Sequence, residues 1–228
     1  DYSMWVNSQV QNQKPEMGNY TDFNFPYDYT FLDNYGDYYT GFFDGTSAAT
    51  PFSAATAALL LQEYTFFKRH PELYKAWVLA GEKTNISNAN THDQDNLSEG
   101  ATRVTKFSSV AFNHSGYMWS GNNACCFDNN NEISFTETQI VSGAHYRIAI
   151  AWLTSHSYVS VNKTIAQDID LRVYQNGNLI AYSISGKDPF EVVDFVPTSS
   201  SDLNVVIKRY ANSGSDNVML GYSLWIDF

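Results

Sequence analysis

The 228-residue chain has little positive charge, with 13 Lys and Arg against 24 Asp and Glu and a formal net charge of −11. Gripping a nucleic-acid backbone takes clustered cations, so no DNA or RNA partner is expected. No apolar run reaches the roughly 20 residues that a membrane-spanning helix needs. The nearest approach, from Ala48 to Leu61, is interrupted by Pro51, Ser53 and two threonines, so no membrane partner is expected. Cysteine is almost missing. The two present, Cys125 and Cys126, are neighbours, which excludes an ordinary disulfide framework. Two free thiols are expected there rather than a strained vicinal bridge. The chain opens on Asp1-Tyr2-Ser3 without the basic and apolar regions of a signal peptide, so a processed protein or a fragment is expected. Histidine is absent from the first 69 residues, a gap that bears on the chemistry below.

What is present suffices for a real core. Apolar residues make up 43% and aromatics 16%, and a chain of this length is expected to divide into two units. Residues 1 to 45 are acidic and turn-rich, with dense Tyr and Phe from Tyr20 to Phe43, and read as loops and short strands. From Ser47 to about Arg69 small and apolar side chains crowd all faces, the pattern of a helix buried on every side. Pro51 falls in its first turn, where a missing N–H costs little. A second helix is expected from about Pro71 to Lys83, with Leu73, Trp77 and Leu79 or Ala80 on one stripe and His70-Pro71 as the break.

Beyond Gly116 the period changes to two. Strands are expected at His145 to Trp152, Ile169 to Tyr174, Leu179 to Ser183, Glu191 to Phe195, Leu203 to Lys208 and Gly221 to Phe228. Asn176-Gly177 supplies a tight hairpin turn between two of them. Short antiparallel strands at this spacing suggest a sandwich of jelly-roll type. The expected organisation is therefore residues 1–115 as one part and residues 116–228 as an all-β part.

The chemistry sits in Gly45-Thr46-Ser47-Ala48-Ala49-Thr50-Pro51. It places a small hydroxyl where a helix starts, beside free amides and the positive end of the helix dipole. Ser47 is the candidate nucleophile, and plain helix capping is the bland reading beside it. The block, with Ala54 and the Ala/Leu helix behind it, resembles the nucleophile motif of subtilisin-like serine proteases. Ala48 stands where that family often has methionine, and Ala55 where it often has glycine. Lys14-Pro15-Glu16-Met17 resembles the Lys-Pro signal that precedes the family's serine, although Gly18-Asn19-Tyr20 replaces the usual small-Pro-Gly step. The run from Asp168 to Tyr174, followed by Asn176-Gly177-Asn178 and Asp188 to Val193, resembles the β-domain appended to many secreted members.

This resemblance implies that residues 1–115 are the C-terminal α/β piece of a catalytic domain, with a buried nucleophile helix, and that 116–228 form the jelly-roll-like sandwich. It implies a secreted serine endopeptidase acting on peptide or protein substrates. A histidine and an aspartate precede the serine in that family. Here all five histidines, His70, His92, His114, His145 and His156, follow Ser47. The missing partners are expected in an upstream part of the same protease, whose sheet would also cover the helix at 47–69. Phe42, Phe43, Gly45 and Thr46 are the candidate substrate contacts. Acidic residues from Asp22 to Asp44 suit basic substrates, with simple solvation as the bland reading.

No cofactor is required for such chemistry. Asp168 and Asp170 on one strand face, and the Asp128 to Glu132 loop, are candidate sites for a structural calcium, with plain solvation of the carboxylates as the bland reading beside it. Two alternatives stand beside the main reading. One is the sedolisin-like branch, which shares Gly-Thr-Ser and a following proline. The other is a catalytically inactive binding module, in which Tyr117, Trp119, Tyr158 and Trp225 on the sandwich hold a glycan or protein.

Overall fold

Alternation along residues 145–152 sends Tyr146, Ile148, Ile150 and Trp152 one way and Ala149 and Ala151 the other, and the structure covers both sides. It is a computed structural model that describes residues 17–18, 29–32, 35–36, 38–41, 46–81, 102–103, 114–121, 126–153, 167–186, 188–212 and 218–227. Among these, strands β1 (Met17–Gly18), β2 (Tyr29–Leu32) and β3 (Tyr38–Gly41) precede helix α1 (Thr46–Glu63), a 3₁₀ turn (Thr65–Lys68) and helix α2 (Pro71–Ala80). Then follow β4 (Thr102–Arg103), β5 (His114–Gly121), β6 (Glu132–Glu137), β7 (His145–Trp152), β8 (Gln167–Gln175), β9 (Asn178–Ser183), β10 (Phe190–Phe195), β11 (Leu203–Asn212) and β12 (Val218–Asp227). The six strands read from the alternation are all present. Two more, β5 and β6, were not among those expected.

The β-part is a sandwich of two antiparallel four-stranded sheets, in the orders β10-β7-β12-β5 and β6-β11-β8-β9. From β6 to β12 the chain passes repeatedly from one sheet to the other, so each sheet is built from strands distant in sequence. Between them lies the main core. Ile148, Ile150, Leu171, Val205, Ile207 and Leu220 are fully buried there, and each such side chain contributes about 1.5–3 kcal/mol relative to an exposed one. Tyr222 is buried in the same layer, and its hydroxyl donates to Glu137 Oε1 at 2.9 Å. Desolvation raises the Glu137 pKa, and the tyrosine hydrogen bond opposes that shift.

Asn176-Gly177 makes the expected turn between β8 and β9, with φ of +53° and +80°. Those values fit a two-residue hairpin turn, the geometry that favours Asn-Gly. Two expectations need correction. Cys126 is disulfide-bonded rather than a free thiol, and the chain has no cysteine besides its neighbour Cys125 to supply the second sulfur. The segment read as one helix to Arg69 is α1 followed by a separate 3₁₀ turn, in which Arg69 and His70 N–H groups bond back to Phe66 and Phe67 carbonyls.

α2 starts where the sequence puts it, with Pro71 in the first turn after His70. Its stripe of Ala76, Leu79 and Ala80 packs on Ala149, Ala151, Phe190, Val192 and Trp225, the outer face of the β10-β7-β12-β5 sheet. Leu73 and Trp77 turn toward Leu60 of α1 and Phe67 of the 3₁₀ turn, joining the helix pair into a second, smaller core. α1 itself is not covered on every side by the described residues. Thr56 and Leu60 are buried, whereas Ala54, Ala55, Ala58 and Leu59 are exposed, Leu59 at 51%. Among the described residues before 116, this helix pair is accompanied by one short parallel pairing, Met17–Gly18 with Thr102–Arg103, and by the antiparallel β2–β3 pair, which by themselves do not make the expected α/β piece.

Candidate functional site

α1 begins at Thr46, so the backbone of Ser47 lies in the first helical turn, where N–H groups have no intrahelical acceptor. The first turn contains no acidic side chain, and no charged residue occurs before Glu63. The positive end of the helix dipole at Ser47 is thus not neutralised from within the helix, as stabilising an oxyanion there would require. Thr46 and Ser47 are therefore adjacent on one turn. Phe42, Phe43 and Gly45 lie outside the described residues.

The histidines that are described lie on other elements. His70 stands beyond the far end of α1, a helix about 27 Å long at ~1.5 Å per residue. It contacts its own neighbour, with Nδ1 at 3.1 Å from Glu72 Oε1. His145 on β7 pairs through Nε2 with Asp194 Oδ1 on β10, and Arg147 Nη1 is 3.8 Å from Asp194 Oδ2. Nothing in the sequence signalled that pairing, because β7 and β10 meet only through sheet register, with Asp194 opposite Arg147.

Asp168 and Asp170 do share one face of β8, with Ile169, Leu171 and Val173 facing the core as expected. Asp170 is bound to Arg172, Nη2 to Oδ2 at 2.8 Å. Burial raises the Asp170 pKa, while Arg172 and Lys208 pull it down. Asp168 Oδ1 has no hydrogen-bond partner among the described residues. Its pKa rises to about 6, chiefly through desolvation and secondarily through the Asp170 charge. Calcium takes six to eight oxygens, and no group of three or more His, Cys, Asp or Glu among the described residues is placed to hold a metal. The donor set on β8 is thus short of a calcium shell. In the other acidic loop, Asp128 Oδ1 accepts the N–H groups of Asn130 at 2.8 Å and Glu132 at 2.9 Å, which gives that carboxylate a turn-forming role.

Of the four rings read as a glycan platform, the side chains of two, Trp225 and Tyr117, fall among the described residues. Trp225 is 4% exposed, beneath α2, because its side of β12 is the helix-covered one. Tyr117 is 46% exposed but leans on Tyr222 and Phe135 at the sandwich edge. Tyr158 lies outside the described residues, and for Trp119 the backbone alone is described. The exposed rings the sequence reading passed over are Tyr182 and Tyr210, at 38% and 74%. An outward position on β9 or β11 was readable from alternation, but the exposure of these two rings among the described residues was not.

No protein-family model matches the chain, and no curated protein matches it. Among solved structures, the periplasmic g-type lysozyme inhibitor PliG of Aeromonas hydrophila is similar at 11% identity and TM-score 0.31, over 50% of this chain and 87% of its own. The pre-peptidase C-terminal domain of a Bacillus anthracis collagenase is similar at 12% identity and TM-score 0.30, over 49% and 89%. A CBM36 carbohydrate-binding module, solved with calcium and xylotriose, is similar at 8% identity and TM-score 0.30, over 50% and 99%. None of these three is a catalytic domain, and likeness at this level carries no argument about ligand or activity.

Proposed function

We propose that this chain carries the nucleophile and the β-sandwich of a secreted subtilisin-like serine endopeptidase. The observation behind the reading is the Gly45-Thr46-Ser47 block meeting the start of α1, a helix without charge before Glu63, whose exposed Ala and Leu side chains call for a covering surface. In this reading Ser47 Oγ gives its proton to the base and adds to a peptide carbonyl, its backbone N–H helps bind the oxyanion, the C–N bond breaks as the amine leaves with that proton, and water then hydrolyses the acyl-enzyme. The base and the aspartate that orients it belong to polypeptide outside these 228 residues, which also covers α1. The test is to express the complete reading frame and treat it with a fluorophosphonate. Ser47 becomes labelled and the Ser47→Ala variant does not; an enzyme preparation in which Ser47 stays unlabelled defeats the proposal.

A second reading is a binding module without catalysis, in which the sandwich holds a glycan. It is favoured by the outer side of β9, where Tyr182 stands opposite Arg172 and beside Ile180 and Ile184, with the Tyr182, Ile180 and Ile184 side chains exposed. If the complete reading frame has no histidine and aspartate ahead of the serine block, this second reading replaces the first.

A further inference from the structure

We infer that the β-sandwich aims the nucleophile helix and that Gly221 is the positioning residue through which it does so, an inference that rests on the endopeptidase reading above. A helix normally lies on a sheet with side chains between the two backbones. At Gly221 of β12 that layer is missing. A Cβ added there would lie 2.4 Å from Leu73 Cα, 2.5 Å from Leu73 N and 2.6 Å from Glu72 C. All three are backbone atoms of the first turn of α2, so no rotamer change relieves the clash. On the adjacent strand β5, Gly116 repeats the feature in milder form, its added Cβ reaching 3.1 Å from Tyr222 O and 3.3 Å from both Leu73 Cδ1 and Trp77 Cζ3. Two glycines on neighbouring strands thus form a seat for one helix turn.

The seat connects onward to α1. Leu73 and Trp77 share a core with Leu60 and Phe67, which are 0% and 2% exposed. The Tyr64 ring, just after α1, packs at 5.7 Å from Trp77 and 5.8 Å from Phe67. The held end of α1 is therefore its C-terminal end, and Ser47 lies about 20 Å away along the axis at ~1.5 Å per residue. Over that arm a tilt of about 3° moves Ser47 by about 1 Å, and a displacement of that size at a reacting group costs about 100-fold in rate.

The test uses the complete enzyme and the Gly221→Ala substitution. Its kcat should fall about 100-fold with KM within about twofold of the parent. Hydrogen exchange should quicken about tenfold or more in α2 and the end of α1, with β8 and β11 amides unchanged. Val205→Ala serves as the control, because it loosens the sandwich from the core side and leaves the seat intact; it should lower Tm and keep kcat. If Gly221→Ala does not fold, Gly116→Ala takes its place, with a fall of about tenfold expected. A substituted enzyme with rapid exchange in α2 and an unchanged kcat overturns the inference, as does a Val205→Ala enzyme that loses kcat equally. If Ser47 of the parent is never labelled, the endopeptidase reading fails by itself. Exchange in α1 then decides the seat, and unchanged exchange in Gly221→Ala refutes it.

Discussion

The two outer faces of the sandwich are built from opposite materials. On the β10-β7-β12-β5 sheet the outward residues beneath α2 include Ala149, Ala151, Val192, Gly221 and Trp225, small or apolar, while the charged Arg147 and Asp194 stand in the Trp225 row. On the β6-β11-β8-β9 sheet the same positions carry the row Glu132, Lys208 and Asp170 and the row Ser134, Val206, Arg172 and Tyr182. Lys208 reaches Glu132 at 2.8 Å, and Arg172 reaches Asp170 at the same distance. Both sheets use one interior code of alternating Ile, Leu, Val and Tyr, so the difference lies wholly in what each presents outward. The surface under the helix has lost side-chain bulk at Ala149, Ala151 and Gly221, whereas the outer side of the other sheet carries charge pairs even where, as at Asp170, the carboxylate is itself buried.

The largest expected effect that separates the faces is at Trp225. Trp225→Ala removes a ring sealed between α2 and the sheet, and should lower unfolding free energy by about 3–5 kcal/mol in a denaturant titration. A loss below about 1 kcal/mol would mean that the helix contributes little to the sandwich. Asp168→Asn comes next, and it also separates two roles for that carboxyl. The folded-state pKa is raised from 3.8 to about 6, so the folded protein binds the extra proton between those values and gains stability as pH falls through that window. Above about pH 6 the full penalty is present. Asn should then stabilise the protein at pH 7.5 by no more than about 1 kcal/mol, because the half-buried carboxyl is screened by solvent. The gain should vanish near pH 4. If Asp168 instead holds a calcium ion, the substitution destabilises at pH 7.5 and abolishes a calcium-dependent rise in Tm. The smallest effect is expected on the bare face, where Tyr182→Ser should change stability by about 0.5 kcal/mol or less. A larger loss would show that something covers Tyr182 after all.

Much of the sandwich was legible because strand periodicity is local. The alternation in β7, β8 and β11 reports which residues share a side, and the Asn176-Gly177 turn fixes the β8–β9 register. Periodicity cannot say which side a helix will cover, and so Trp225 read as a surface ring when it is interior. Gly221 gave no signal, since its purpose is set by a backbone more than a hundred residues away in sequence. Strand β5 was missed because Ser115, Gly116 and Ser120 dilute its apolar alternation. The start of α1 was legible at Ser47 from the small residues and Pro51. Its covered side was not, because a helix apolar all round has no preferred face to read. The pairing of Asp170 with Arg172 was open to reading, two residues apart on one strand face, whereas that of His145 with Asp194 depended on register.

The glycine seat also orders events during synthesis. α2 leaves the ribosome long before β12, the strand that receives it and that pairs with both β5 and β7. Closing that long loop and completing the sheet become a single late step, of the non-local kind that makes folding slow. Until then Leu73 and Trp77 have only the local partners Leu60 and Phe67, and Ala76, Leu79 and Ala80 wait as an adhesive stripe for the sheet that will cover them.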